Sequence, residues 1–412
     1  MSERAADQAP APETMGVGPP ERPSTPTRGQ PALVSWLLGV PRALVVPSLA
    51  LLTALAIGAV IIILSDRDFV TQFGSNPGAA LGAGLTSVRD AYVGLIGGSV
   101  GSPRAISETL LQATPLILTG LAVAVGFRAG LFNIGAEGQL YAGAASSIFV
   151  GFALVGLPAF IHLPLAIIAG IAGGALWGFI PGFLKARTGA HEVIVTIMLN
   201  YVAFRFIDWL LNQPFFQREG RTDQISRFVE PSAELPRLIE GFRTHWGIFL
   251  ALAAAVFVSW LLFRSTKGFE FRAVGLNPSA ARYAGMSIGG TLILAMMVSG
   301  GLAGLAGASE MLGSNKTLTP GFSPGWGFDA IALALLGGAR PLGVVFAALL
   351  FGALRAGATP MQVSTGIPID LVVVIQALVI MFIAAPALVR GIYRIRVERR
   401  IGSEVFTKGW GA

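Results

Sequence analysis

The chain has 412 residues, 53% of them hydrophobic and 12% charged, where a soluble domain carries roughly 25% charge, so a soluble fold is excluded. Cys is absent and the three histidines, His162, His191 and His245, lie far apart, which excludes a disulfide framework, thiolate chemistry and a histidine metal site. The net charge of +7 points to basic loops on one side of a bilayer rather than to nucleic acid.

Residues 1–42 are rich in Pro, Ser, Thr and charge (Pro19-Pro20-Glu21-Arg22-Pro23) and read as a disordered tail that cannot bury apolar surface. It is too long and too proline-rich for a signal peptide. A transmembrane domain over 43–390 follows, and its apolar runs predict ten helical spans. They fall at 43–65, 107–127, 136–157, 164–184 and 192–211, then at 246–263, 288–311, 325–338, 341–356 and 369–389. The eighth is short enough to be a half-helix. The runs are long and continuous, which excludes a β-barrel. Residues 66–106 and 212–245 are expected as long loops on one side, each long enough to fold back onto the bundle as short helices, and 391–412 as a basic tail on the other.

Charge supports this layout. With both termini on one side, that side collects Arg42, Arg128, Lys185, Arg187, Arg264, Lys267, Arg272, Arg282, Arg340 and the basic residues of 390–400. The opposite loop interleaves Arg218, Arg221 and Arg227 with Glu219, Asp223 and Glu230. Both termini are therefore expected in the cytoplasm. Five spans enter from one side and five from the other, as an inverted-topology repeat requires.

Two stretches carry more than hydropathy. Gly130-Leu-Phe-Asn-Ile-Gly-Ala-Glu-Gly-Gln-Leu-Tyr-Ala-Gly143 sets an acid, two amides and several glycines between two apolar runs. A carboxylate at bilayer depth costs about 3 kcal/mol to insert, so Glu137 needs a partner, a water path or a job. The glycines suggest a broken helix. The loop 264–287 contains Asn277 as an N-cap, Pro278 for a first turn and Gly285 for a C′ position, which predicts a two-turn helix at 278–284. Flanked by Arg272 and Arg282, it is either a rigid knob for a groove on a cytoplasmic subunit or an ordinary interfacial connection. No Walker A loop, Ser-His-Asp arrangement or paired carboxylates are present, so no catalytic residue is expected. Transport must then use an ion gradient or a borrowed ATPase. Most acids, Glu192, Asp208, Glu310 and Asp370 among them, fall near span ends, which weakens ion coupling.

Together, the 130–143 string, the loop 272–286 and Gly325-Trp-Gly-Phe-Asp-Ala-Ile-Ala-Leu-Ala-Leu-Leu-Gly-Gly338 resemble the membrane permease subunits of bacterial ABC importers. The family includes branched-chain amino acid and ribose permeases. The similarity, over about residues 45–395, is greatest to the nucleoside (simple-sugar type) branch, which works with lipoprotein receptors. That resemblance implies an all-α type II ABC importer bundle in the bacterial plasma (inner) membrane, translocating nucleosides. A ribose-like sugar is the alternative, and an ion-coupled secondary transporter the less favoured one. It further implies a second, different permease, two cytoplasmic ATPase domains carrying the ATP and Mg, and an external lipoprotein receptor, with no cofactor on this chain. The loop helix then corresponds to the coupling helix, with Asn277, Pro278, Ala281, Arg282 and Tyr283 at the ATPase contact.

Several polar and aromatic residues are candidates for the substrate path. Asn133, Glu137 and Gln139 either offer hydrogen bonds to ribose hydroxyls or base edges, or satisfy backbone groups freed by the break. Thr196 and Asn200 share a helix face with Glu192, as path lining or as interhelical hydrogen bonding. Trp326 and Phe328, beside Phe322 and Asp329, either stack on a nucleobase or anchor the span at an interface. Phe132 and Tyr141 read as packing, Gly170, Gly174 and Gly178 as a close-packing face, and Arg205 with Asp208 as a structural pair.

Overall fold

A computed structural model describes residues 32–393; most of the expected N-terminal tail and the basic tail from 394 lie outside the described residues. The chain divides into residues 1–45 and 46–412. Of the first unit only helical backbone from Ala32 is described, and the contacts below belong to the second.

The helices in chain order are α1 (Ala32–Ser65), α2 (Arg67–Gln72), α3 (Pro77–Val100), α4 (Pro103–Arg128), α5 (Ala136–Ala153), α6 (Ala159–Thr188) and α7 (Glu192–Leu211). They continue with α8 (Gly247–Arg264), α9 (Thr266–Leu276), α10 (Pro278–Tyr283), α11 (Ile288–Ser309), α12 (Trp326–Leu336), α13 (Pro341–Thr365), α14 (Asp370–Ala384) and α15 (Pro386–Ile392). A π-helical stretch, Glu310–Asn315, extends α11. Each of the ten expected spans falls on one of these helices, and among the described residues seven helices are long and apolar enough to cross a membrane.

Two boundaries change. The first helix begins at Ala32, ahead of the expected boundary at 42. The stretch 66–106, expected as a loop, carries the 24-residue helix α3. Its buried positions Ala80, Gly84, Ala91, Leu95 and Ser99 recur at helical spacing, but small and polar residues between them dilute the hydropathy. This helix lies along α1, with the Tyr92 hydroxyl donating to the Leu55 carbonyl, and along α13, where Gly94 meets Met361 and Gly98 meets Pro360.

The bundle has a basic end. There Arg128 reaches the α12–α13 turn, Gly130 touches Gly275 of α9, and Lys185 pairs with Glu192 at 2.8 Å. At the other end the segment 212–246 folds over the helix tips. Glu230 N–H donates to the Gly151 carbonyl (2.8 Å) and Leu235 N–H to that of Leu312 (2.9 Å). The α4–α5 pair and the α11–α12 pair run in opposite senses between these ends. At the centre α11 packs between α5 and α6 through glycines. The Gly170, Gly174 and Gly178 face of α6 meets Gly300, Gly304 and Met296 of α11, and Gly143 of α5 meets Gly304 from the other side.

His245, just ahead of α8, is buried. Its Nδ1 accepts Gly247 N–H at 3.1 Å, so Nε2 carries the proton toward Ser314 Oγ at 3.2 Å. Burial holds this ring down to about 4, against an ordinary 6.5. Below pH 6.5 the unfolded ring takes up a proton that the folded one refuses, so stability falls as pH drops toward 4. The loss is roughly 2 kcal/mol by pH 5. The melting temperature in detergent should decline over that window, and His245→Gln should flatten the decline.

Candidate functional site

Two helices begin inside the bundle and meet there. After Arg128 the chain turns at Gly130 (φ 72) and climbs back without helix before α5 starts. Asn133, on this climb, already bonds Ser299, halfway along α11. From the other end, the chain after Asn315 descends past the fully buried Leu318 and turns at Gly325 (φ 92) into α12. That helix runs to the basic end, where Arg128 Nε donates to the Ala339 carbonyl (2.9 Å) and Nη2 to that of Gly338 (3.3 Å). Its 11 residues cover about 16 Å, roughly half of a 30 Å hydrocarbon layer, which puts its N-terminus near mid-bilayer.

Glu137 joins the two starts. It stands in the first turn of α5, is 2% exposed, and its Oε2 accepts Gly327 N–H of the first turn of α12 at 2.6 Å. Gly135 and Gly325 occupy the N-cap positions and so supply no side-chain cap, and Ser323 Oγ accepts Trp326 N–H at 3.3 Å. One carboxylate therefore faces the positive ends of two helix dipoles. This is the job that an acid at such depth demanded.

The neighbouring amides hold the break. Asn133 Nδ2 donates to Gln139 Oε1 and to Ser299 Oγ, both at 2.8 Å, while its Oδ1 accepts Gly135 N–H at 2.9 Å. Ser299 Oγ in turn donates to the Ala122 carbonyl of α4 at 2.6 Å. Asn200 of α7 accepts Gly138 N–H (2.8 Å) and donates to the Ile134 carbonyl (3.0 Å). Thr196 bonds the Glu192 carbonyl one turn back at 2.7 Å, with its Cβ beneath Gly135.

Of the two readings open for these residues, the backbone one describes what the structure places. Asn133, Glu137, Gln139, Thr196 and Asn200 are all buried and turned into the protein. A helix broken inside a bundle frees backbone groups that no water can reach; Asn133, Asn200 and Glu137 pair those of Ile134, Gly135, Gly138 and Gly327, while Gln139 braces Asn133. Trp326 is buried as well, its carbonyl accepting the Thr119 hydroxyl at 3.3 Å. Phe328 alone of the seven expected path residues is open, at 46%. Tyr141 packs as expected, its ring 4.6 Å from Phe322 and 4.9 Å from Phe204.

Beside Phe328, Asp329 pairs with Arg355 of α13 at 2.5 Å, and both side chains stay partly exposed (25% and 17%). Arg355 is not among the residues expected at the path. The signal was present: Arg355 is the one charge within 341–365, an otherwise uncharged span.

At the basic end, α10 forms where its caps predicted. Asn277 Oδ1 accepts Ala280 N–H at 2.9 Å, Pro278 opens the first turn, and Gly285 takes φ 80. Met286 N–H closes on the Ala281 carbonyl (3.0 Å) and Gly285 N–H on that of Arg282 (2.9 Å), a Schellman closure. Ala281 is 3% exposed and faces inward, whereas Tyr283 is 95% exposed. A groove of about 690 Å3 runs behind it, lined by Arg264, Lys267, Arg272 and Met286 among others. Among the described residues no cluster of His, Asp and Glu is placed to hold a metal ion.

Comparison with known proteins gives these features a context. Residues 105–384 match the family described as the branched-chain amino acid transport system permease component. The chain is 43% identical to a guanosine ABC transporter permease of Bacillus subtilis, over 84% of this chain and 94% of that one. It is 38% identical to a nucleoside ABC transporter permease of Lactococcus lactis, over 83% and 91%. A glucose ABC transporter permease of Haloferax volcanii is 37% identical, over 82% and 86%. No solved structure matches.

Proposed function

The chain belongs to the permease family of branched-chain amino acid transport systems, and from that premise we propose that it is the membrane-spanning permease of an ABC importer for nucleosides. One observation carries the substrate class: the 43% identity to a guanosine permease extends over 94% of that protein's length. The glucose permease, at 37%, makes a sugar the competing substrate. Labelled guanosine uptake should appear when the complex is expressed in cells lacking nucleoside uptake. Excess adenosine should suppress it, and excess ribose or glucose should not. The opposite pattern of competition would overturn the nucleoside assignment.

In this reading the chain is a gate in the bacterial plasma membrane, with its basic end and termini in the cytoplasm. A second, different permease completes the channel, and an external lipoprotein receptor delivers the solute. Two ATPase domains bind ATP and Mg and move α10. The Schellman-closed helix suits that task, because its ends are fixed and a push on it is passed to α9 and α11. Rocking of the two halves then exposes the path to either side in turn.

Tyr283 gives this coupling a test. An aromatic side chain almost fully in solvent on a rigid helix is the kind of anchor that carries about 2 kcal/mol of an interface. Tyr283→Ala should weaken ATPase retention roughly 30-fold in mild detergent and lower uptake with it. A thiol at Tyr283→Cys should crosslink to an ATPase subunit, while the inward-facing Ala281→Cys should not.

A further inference from the structure

The Asp329–Arg355 pair sits where an open charge is least tolerated. Pro341 begins α13 beside Arg340 at the basic end, and Arg355 lies fourteen residues on. That is about 21 Å along the helix, inside a hydrocarbon layer of about 30 Å. Asp329 reaches the same depth from the first turn of α12. Charges at this level face a bundle interior, a partner or a water-filled cavity, because lipid contact costs several kcal/mol.

Yet the pair is not sealed in the bundle. Its side chains are 25% and 17% exposed, while Glu137, a few residues away in the same junction, is 2% exposed. The surface around the pair is open too: Phe328 adjoins Asp329, and Thr359, one turn beyond Arg355 on the same face of α13, is exposed. Hydrocarbon cannot be what touches these groups. We infer that Asp329 and Arg355, with Phe328 beside them, form the polar waist of an aqueous path, and that a neutral, hydroxyl-rich solute exchanges hydrogen bonds with them at mid-bilayer.

The chemistry fits a neutral solute. The carboxylate accepts from hydroxyl or ring N–H groups, the guanidinium donates to hydroxyl or carbonyl oxygens, and the Phe328 ring offers a face for stacking. The two carboxylates Glu137 and Asp329 are balanced by one guanidinium and two helix N-termini, so no strong net field selects an ion. The solute's identity rests on the nucleoside reading; the water-lined waist does not.

The absence of Cys from the chain makes the test direct. Phe328→Cys and Thr359→Cys each create a unique thiol, and Val256→Cys, at a position 71% exposed on α8, supplies a lipid-facing control. In the assembled complex in membranes, a charged, membrane-impermeant methanethiosulfonate should modify the first two at least tenfold faster than the third. Guanosine should slow the Phe328→Cys reaction. If both path thiols react no faster than Val256→Cys, the waist is refuted even where guanosine uptake is normal. Fast labelling in a complex that carries no nucleoside would keep the waist and sink the solute. A second readout uses the double variant D329N/R355Q, which removes both charges together and so leaves neither unpaired. It should assemble and show a KM for guanosine raised severalfold; an unchanged KM would remove the pair from the solute's route.

Discussion

Gly304→Val is expected to leave almost no assembled permease in the membrane. A Cβ on Gly304 would stand 2.3 Å from the Gly170 carbonyl oxygen and 2.9 Å from the Gly174 Cα. On the far side, Gly143 already approaches so closely that its own Cβ would lie 2.2 Å from the Gly304 Cα. Every obstructing atom is backbone, so no rotamer change relieves the clash. The three helices α5, α6 and α11 would have to separate, and α5 carries Glu137. Overpacking costs about 1–3 kcal/mol in adaptable cores, and a branched side chain wedged between backbones belongs above that range. Gly97→Val is the control, since nothing lies within 4 Å of a Cβ there. Size-exclusion profiles of fluorescently tagged variants should show a folded peak for Gly97→Val and aggregate for Gly304→Val. Equal peaks would mean that the three-helix contact yields more easily than its geometry allows.

Glu137→Ala should cut uptake by roughly two orders of magnitude. The change strips the Gly327 N–H of its acceptor and leaves two helix N-termini without their counter-charge. A lost hydrogen bond to a charged group costs about 1.5–3 kcal/mol, and the helix ends add about 1 kcal/mol. A penalty near 3 kcal/mol corresponds to a hundredfold fall in the equilibrium constant for holding α12 in place. Glu137→Gln keeps an oxygen acceptor without the charge and should retain uptake within about tenfold of the original. Equal loss in both variants would point to the charge itself rather than the bond. Normal uptake in Glu137→Ala would mean that the junction is idle and would favour a scaffold over a transporter.

Much of this architecture was legible in the residues. Long apolar runs announce spans because the hydrocarbon leaves helices no other choice. Asn277, Pro278 and Gly285 announce α10 because each has a backbone conformation that its position requires. The string 130–143 announced a break, and the short run at 325–338 announced a half-helix. What stayed hidden depends on tertiary partners. Helix α3 is amphipathic and glycine-rich, so its burial against α1 and α13 leaves little trace in hydropathy. Asn133 and Asn200 look like path residues in sequence. Only the fold shows that their polar atoms meet Ser299 and the backbone at 134–138. Arg355 and Asp329 lie on different helices, and nothing local couples them. Inward-facing Ala281 differs from Tyr283 only by its place on a helix whose orientation is fixed by Met286.

The central claim is that this chain is a gate without a motor, opened for nucleosides by ATPases that push on α10. Guanosine flux into proteoliposomes decides it. The account predicts accumulation only when the chain is reconstituted with its second permease, receptor and ATPases and supplied with ATP on the ATPase side. Guanosine carried by the purified chain alone, driven by a proton or sodium gradient, would contradict it.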